Sequence, residues 1–122
     1  MRTNKMLCAR ESMCNLTDIV WHDLPLDGIS IKTDSLDLMI SPYNESTKQY
    51  DELIFKLYSF ASMALSLDAQ LDISNLKDME ISSFEYSQNK NTLSGTIGIL
   101  PGNAGFWSVS FKDAQWSIHA ST

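Results

Sequence analysis

The side chains best suited to chemistry in this sequence are two histidines, one of which lies beside a carboxylate. His22 precedes Asp23, and His119 lies near the other end of the sequence. An imidazole can act as a general base, or it can bind a metal together with a carboxylate and a third ligand. The two histidines show neither His-x-His nor helical His-x-x-x-His spacing, so the sequence predicts no metal site and no catalytic site around them.

The motifs that would mark a nucleophile or a phosphate site are incomplete. Gly95-Thr96-Ile97-Gly98 lacks the serine of a nucleophile elbow. Pro101-Gly102-Asn103-Ala104-Gly105 lacks the lysine and hydroxyl residue of a phosphate-binding loop. To act as general acid and base, paired carboxylates such as Asp78 and Glu80 would need burial that raises the pKa of one of them. The residues on either side of them are not apolar enough to predict such burial. We therefore expect a protein that is not an enzyme and has no cofactor.

The cysteines and the N-terminus bear on the compartment. Cys8 and Cys14 lie in residues 1–15, which have no hydrophobic periodicity and no continuous apolar run for a signal peptide. We expect a loosely ordered arm there, followed by a single domain over residues 16–122, because this length can bury one core. We also expect a cytoplasmic protein with free thiols and no membrane association.

The element that organises the chain is residues 28–41. Ile29 and Ile31, then Leu36, Leu38 and Ile40, alternate with polar residues on either side of a short polar break. A period of two predicts two strands joined by a reversal, each with one buried face. A short helical turn is predicted over residues 68–79. Further strands are predicted at residues 18–23, 80–86, 93–100, 106–111 and 115–119, with a hairpin loop at 101–105.

Residues 50–67 admit two interpretations. With a period of two, alternate apolar residues share one face of two consecutive strands or one long bent strand; with a period of 3.6, an apolar stripe predicts a helix. The flanking strands favour the first interpretation. The sequence therefore predicts a mainly β protein, a single antiparallel sandwich or barrel-like domain with at most one or two helices; the alternative is an α+β fold with a helix over residues 47–66. The predicted core is Trp21, Leu38, Ile40, Phe55, Leu57, Phe84, Trp107 and Phe111.

Charge is distributed unevenly along the chain. The formal net charge is -6, and thirteen acidic side chains lie between residues 18 and 85 against four lysines. Nucleic-acid affinity comes largely from Lys and Arg at phosphates, so direct binding of DNA or RNA is not expected. Complementary fields favour a basic protein partner instead.

Four segments form a pattern that spans most of the chain after the N-terminal arm. They are Trp21-His22-Asp23, the alternating strands from Gly28, Glu80-Ile81-Ser82-Ser83-Phe84-Glu85, and Phe111-Lys112-Asp113-Ala114-Gln115-Trp116. The pattern resembles cytoplasmic immunity proteins of bacterial contact-dependent growth inhibition and related polymorphic toxin systems. The resemblance implies a protein that binds and neutralises a cognate toxin domain, and it assigns no catalytic residue. Many such toxins are nucleases, whose clefts must be basic to hold nucleic acid.

The acidic residues between 68 and 85 are the predicted contact surface for a basic partner, with the turns at Asp23, Asp27 and Asp34 as the alternative surface. Two other functions stay open. One is a ligand-binding or metal-dependent enzyme domain of β-barrel type, with His22 and His119 facing the interior; the other is an adaptor subunit of a larger assembly. The predicted partner-binding residues are Asp68, Asp72, Asp78, Glu80 and Glu85.

Overall fold

The computed structural model describes residues 15–67, 78–102 and 105–121. Within these ranges the chain forms nine strands, one 3₁₀ turn at Leu16–Asp18 and no α-helix. Every strand pair is antiparallel, which confirms the predicted mainly β fold. The strands are β1 Leu24–Ile31, β2 Ser35–Ile40, β3 Tyr43–Asn44, β4 Gln49–Tyr50, β5 Leu53–Tyr58, β6 Ser62–Ser66, β7 Met79–Asn89, β8 Thr92–Pro101 and β9 Trp107–Ala120.

Some predictions concern residues outside these ranges. They are the N-terminal arm, of which residues 1–14 are not described, and the helical turn over residues 68–79, of which 68–77 are not described. Nowhere in the described ranges is there a helix with the length and apolar character that crossing a membrane requires.

The predicted central hairpin is confirmed. Strands β1 and β2 pair with Ile29 opposite Leu38 and Ile31 opposite Leu36. Leu36, Leu38 and Ile40 are buried, as the alternation predicted, whereas Ile31 at the end of β1 is 63% exposed. The alternation therefore predicts burial correctly along β2. It fails at the end of β1, where β1 still pairs with β2 but no longer with β7.

The predicted first strand at residues 18–23 is wrong. The 3₁₀ turn ends at Asp18, residues 19–23 form no strand, and Asp23 adopts a left-handed conformation with φ 60° just before β1 begins at Leu24. Trp21 explains the difference, because its ring packs 5.1 Å from Phe55 and 4.9 Å from Phe84, measured between ring centroids. Its Nε1 also donates to the Leu16 carbonyl at 3.0 Å. Tertiary packing of one side chain outweighs the β propensity of its neighbours.

Residues 50–67 form the two consecutive strands β5 and β6, so the helix alternative over residues 47–66 is wrong. Leu53, Phe55 and Leu57 are buried at alternate positions. Both β5 and β6 pair with the long strand β9, and Ser59 takes a left-handed φ of 52° where they bend. The strand interpretation is correct because β5 pairs with a strand along each of its edges, β2 on one side and β9 on the other.

These pairings close the strands into a ring. The order is β5-β2-β1-β7-β8-β9, and β9 pairs again with β5. Strands β8 and β9 flank the predicted loop at residues 101–105, and β9 covers both strands predicted at 106–111 and 115–119. Strands β1 and β7 meet only through Leu24 opposite Ile81 and Pro25 opposite Glu80. This narrow junction brings the segment before β1 against the start of β7.

The interior of the ring is filled by apolar side chains. Phe55, Ile97 and Ile118 are 0% exposed. Phe84 is half-buried against the core, whereas Phe106 is 51% exposed. The predicted core residues that are buried are Trp21, Leu38, Ile40, Phe55, Leu57, Trp107 and Phe111.

Candidate functional site

The connection between β2 and β5 is a small hairpin that presents two tyrosines to solvent. Strands β3 and β4 place Tyr43 opposite Tyr50. The rings meet edge to face with centroids 5.2 Å apart, and the residues remain 47% and 60% exposed. In this edge-to-face arrangement each ring contacts the other, and the rest of both rings stays exposed to solvent.

Asn44 holds this hairpin in shape. It is 1% exposed, and its Oδ1 accepts from the backbone N–H of Ser46 at 2.9 Å while its Nδ2 donates to Asp51 at 3.2 Å. The backbone N–H of Lys48, which has a φ of 59°, donates to the Asn44 carbonyl at 2.7 Å. An asparagine that bonds to the backbone two residues on is a characteristic turn former. The tyrosines are therefore carried on a well-bonded turn.

The segment before β1 lies beside the hairpin. Ile19 and Trp21 are buried, so Val20 between them points outward and is 78% exposed. The segment and the hairpin enclose an open concavity of about 320 Å³, which we call the tyrosine concavity. It is lined by Asp18, Val20, His22, Asp23, Leu24, Pro25, Pro42, Tyr43, Glu45 and Tyr50.

Two residues that line the concavity, His22 and Asp23, contact each other close to the start of β7. The Nδ1 atom of His22 lies 2.8 Å from the Ser82 carbonyl oxygen, and its Nε2 lies 3.3 Å from Asp23 Oδ2. Desolvation raises the pKa of the neighbouring Glu80, the nearby Asp23 raises it further through hydrogen bonding and its negative charge, and His22 opposes the shift. The narrow junction between β1 and β7 positions all three groups.

The concavity carries negative charge with little to neutralise it. Asp18, Asp23 and Glu45 line it, and no Lys or Arg is among its lining residues. Within the described ranges the ion pairs are His22 with Asp23, at the concavity, and Lys32 with Asp37, elsewhere. The lining therefore combines apolar and aromatic side chains with three carboxylates.

The predicted contact residues are only partly brought together. Glu80 is half-buried beside Asp23, one of the alternative acidic turns, and Asp78 is exposed just before β7. Glu85 is exposed and opposite Thr96, about 17 Å further along β7 than Glu80 at the usual rise per residue. Asp68 and Asp72 lie outside the described residues.

The two histidines do not face the interior. The side chain of His22 is 77% exposed, and His119 alternates with the fully buried Ile118, which puts it on the outer surface. His119 contacts Ser117 at 3.5 Å, whereas His22 contacts β7 and Asp23. Among the described residues, no three His, Cys, Asp or Glu side chains are grouped so that they could hold a metal ion.

Sequence reasoning missed the aromatic and aliphatic part of this surface. Tyr43 and Tyr50 flank a polar stretch with the composition of a turn, and aromatic residues in such a stretch are a recognisable sign of a contact surface. Val20 gave no such signal, because its outward direction follows from the burial of Ile19 and Trp21. No protein-family model matches the chain, and comparison with curated proteins and with solved structures finds no match for it either.

Proposed function

We propose that this chain is an immunity protein, which binds a basic toxin domain through the tyrosine concavity and so blocks the active-site region of the toxin. The observation that carries the proposal is the exposed pair Tyr43 and Tyr50 on a well-bonded hairpin. Exposed apolar surface does little for the stability of the free protein, whereas tyrosines are enriched among the residues that dominate binding energy in interfaces.

Charge specifies the class of partner. The carboxylates of Asp18, Asp23 and Glu45 line the concavity, and no lysine or arginine is among the lining residues. Negative charge at a contact surface speeds encounter with a basic surface and repels an acidic one. A nuclease cleft must be basic to hold phosphates, so a nuclease toxin supplies a complementary surface. The resemblance to immunity proteins supports the same partner.

Co-expression tests the function. The cognate toxin domain is to be sought as the C-terminal domain of a large secreted protein encoded beside this chain, and we expect the chain to restore growth of cells that produce that domain. A Tyr43→Ala/Tyr50→Ala variant should lose protection, because it removes the centre of the surface. Ile31→Ala is the matched control, since Ile31 is equally exposed but lies at the far end of β1. No protection by the parent chain refutes the function, and full protection by the double variant refutes the surface.

Association kinetics test the charge. Replacing Asp78 and Glu80 by lysine should slow association with the toxin domain and flatten its dependence on salt. The control is Asp113→Lys, an exposed position in β9 that lies outside both predicted contact surfaces. If the double reversal associates as fast as the parent at low ionic strength, the start of β7 is not part of the contact surface.

A further inference from the structure

Strand β6 is paired along one edge. It pairs with β9 from Ser62 opposite Lys112 to Ser66 opposite Ser108, and no other strand in the described part of the chain pairs with it. An unpaired edge presents a row of backbone N–H and C=O groups to which another strand can bind. The free edge of β6 is therefore a place where the sheet can be extended by a further strand.

The edges at the opening of the ring between β1 and β7 differ from β6. Beyond the two residues through which β1 and β7 meet, each strand has an edge that no described strand covers. The register of β1 shifts at residues 26–28 and that of β7 at residues 81–83, and these strands carry Asp27 and Glu85. Bulges and charged side chains are common protection of an edge strand against pairing. Strand β6 has neither, since its register with β9 is regular and it contains no charged residue and no proline.

The sequence of β6 is nearly the same in both directions. In Ser62-Met63-Ala64-Leu65-Ser66, an antiparallel copy centred on Ala64 places serine opposite serine and Met63 opposite Leu65. Met63 and Leu65 pack against the core, so this register keeps them on the inner face and keeps the small exposed residues on the outer face. A dimer with two-fold symmetry needs a surface that is complementary to itself. Strand β6 meets this requirement.

We propose that β6 is a self-association site, at which two copies of this chain pair antiparallel about Ala64 and join their sheets. The proposal does not depend on the function proposed above. Charge favours a second copy over a basic partner at this edge, because β6 has no carboxylate to attract one. The net charge of -6 opposes close approach of two copies in general, and they meet here through strands that carry no charge.

The size of the contact determines its strength. The five residues of β6 span about 17 Å, and a sheet occupies about 10 Å in thickness, so the edge offers about 170 Å² per copy. A stable interface of standard size buries about 800 Å² per partner. We therefore expect a weak and reversible dimer, with a Kd on the order of 0.1 to 1 mM.

Sedimentation velocity and NMR dilution of the free full-length chain, over concentrations that bracket this Kd, test the association. In the parent, the amide shifts that depend on concentration should centre on residues 62–66. Ala64→Lys should weaken dimerisation by about fivefold, because two like charges then lie directly opposite each other. Its thermal stability should stay close to that of the parent, since Ala64 is exposed. Gln115→Lys, at an exposed position in the second half of β9, is the matched control and should leave dimerisation unchanged.

A charge swap at the two-fold axis separates pairing from folding. Ala64→Glu alone should weaken dimerisation as Ala64→Lys does, whereas an equimolar mixture of the two variants should restore it, because opposite charges then meet. A parent that stays monomeric at the highest concentration, or a mixture that associates no better than either variant alone, would overturn the proposal. Loss of association in Tyr43→Ala/Tyr50→Ala would also overturn it, because the copies would then meet at the tyrosine concavity. The toxin domain takes no part in these measurements, so their outcome is independent of the protection test.

Discussion

Two groups of aromatic side chains in this molecule meet their neighbours with similar geometry but differ in what covers them. Trp21, Phe55 and Phe84 pack with centroids between 4.9 and 5.8 Å apart inside the ring of strands. Tyr43 and Tyr50 pack at 5.2 Å, and among the described aromatic rings each pairs with the other alone. The first group joins the segment before β1 to β5 and β7, whereas the second joins two strands of two residues each. Ring geometry alone therefore does not distinguish aromatics that stabilise a fold from aromatics available to a partner.

Removing a ring from the buried group should have the largest effect on stability. Phe55→Ala deletes a side chain that is 0% exposed, and we expect a loss of about 3 to 5 kcal/mol in the free energy of unfolding, because a cavity remains in the core. Urea denaturation measures it. A loss below about 1 kcal/mol would show that the core can collapse around position 55 and would remove the contrast between the groups.

Loss of Asn44, which holds the hairpin of the exposed tyrosine pair, should have the next largest effect on stability. Asn44→Ala leaves two backbone donors of the turn and Asp51 without this partner, and we expect a loss of about 1 to 3 kcal/mol. Thermal unfolding and hydrogen exchange at residues 43–50 report it. Gln49→Ala, at an exposed position in the same hairpin, is the control and should change stability little. Equal losses for both variants would mean that Asn44 does not hold the hairpin.

Tyr50→Ala should separate stability from binding. The side chain is 60% exposed, so the free energy of unfolding should change by less than about 1 kcal/mol. Its loss at the centre of an interface should weaken binding of the toxin domain by about 2 kcal/mol, measured by calorimetry. A variant that unfolds easily but still binds would reverse the assignment of the two aromatic groups.

The smallest effect concerns Glu80→Gln. The pKa of Glu80 is raised in the folded chain, so the folded state holds this proton more firmly than the unfolded state. The stabilisation that this proton gives to the folded state is fully present in acid, and it is lost as pH rises through the pKa of Glu80 in the folded chain. Because glutamine cannot ionise, the variant should gain stability relative to the parent at neutral pH, and the difference should shrink in acid. Denaturation curves at both pH values would contradict this if the difference grew in acid instead.

The fold was more predictable than the surface, and particular residues show why. Apolar alternation at Leu36, Leu38 and Ile40 predicts a strand, because such alternation can be seen in the local sequence alone. The position of Trp21 depends on contacts with Phe55 and Phe84, which no local pattern contains. Glu80 was predicted as a contact residue from charge, but its neighbours His22 and Asp23 follow from a two-residue junction between strands far apart in sequence. The tyrosine pair depends on the bonding of one buried asparagine.

The long strand β9 has a consequence for how the chain folds. It pairs with β8 and β6 through its first half and with β5 through its second, where Leu53 lies opposite Ala120. The ring therefore cannot close until β9 has been synthesised, and closure must join segments that are distant in sequence. Such non-local pairing slows folding, since loop entropy is lost before the contacts form. Until then β2 and β5 can associate as a local unit, but the edge of β5 that β9 covers stays open to pairing with other chains.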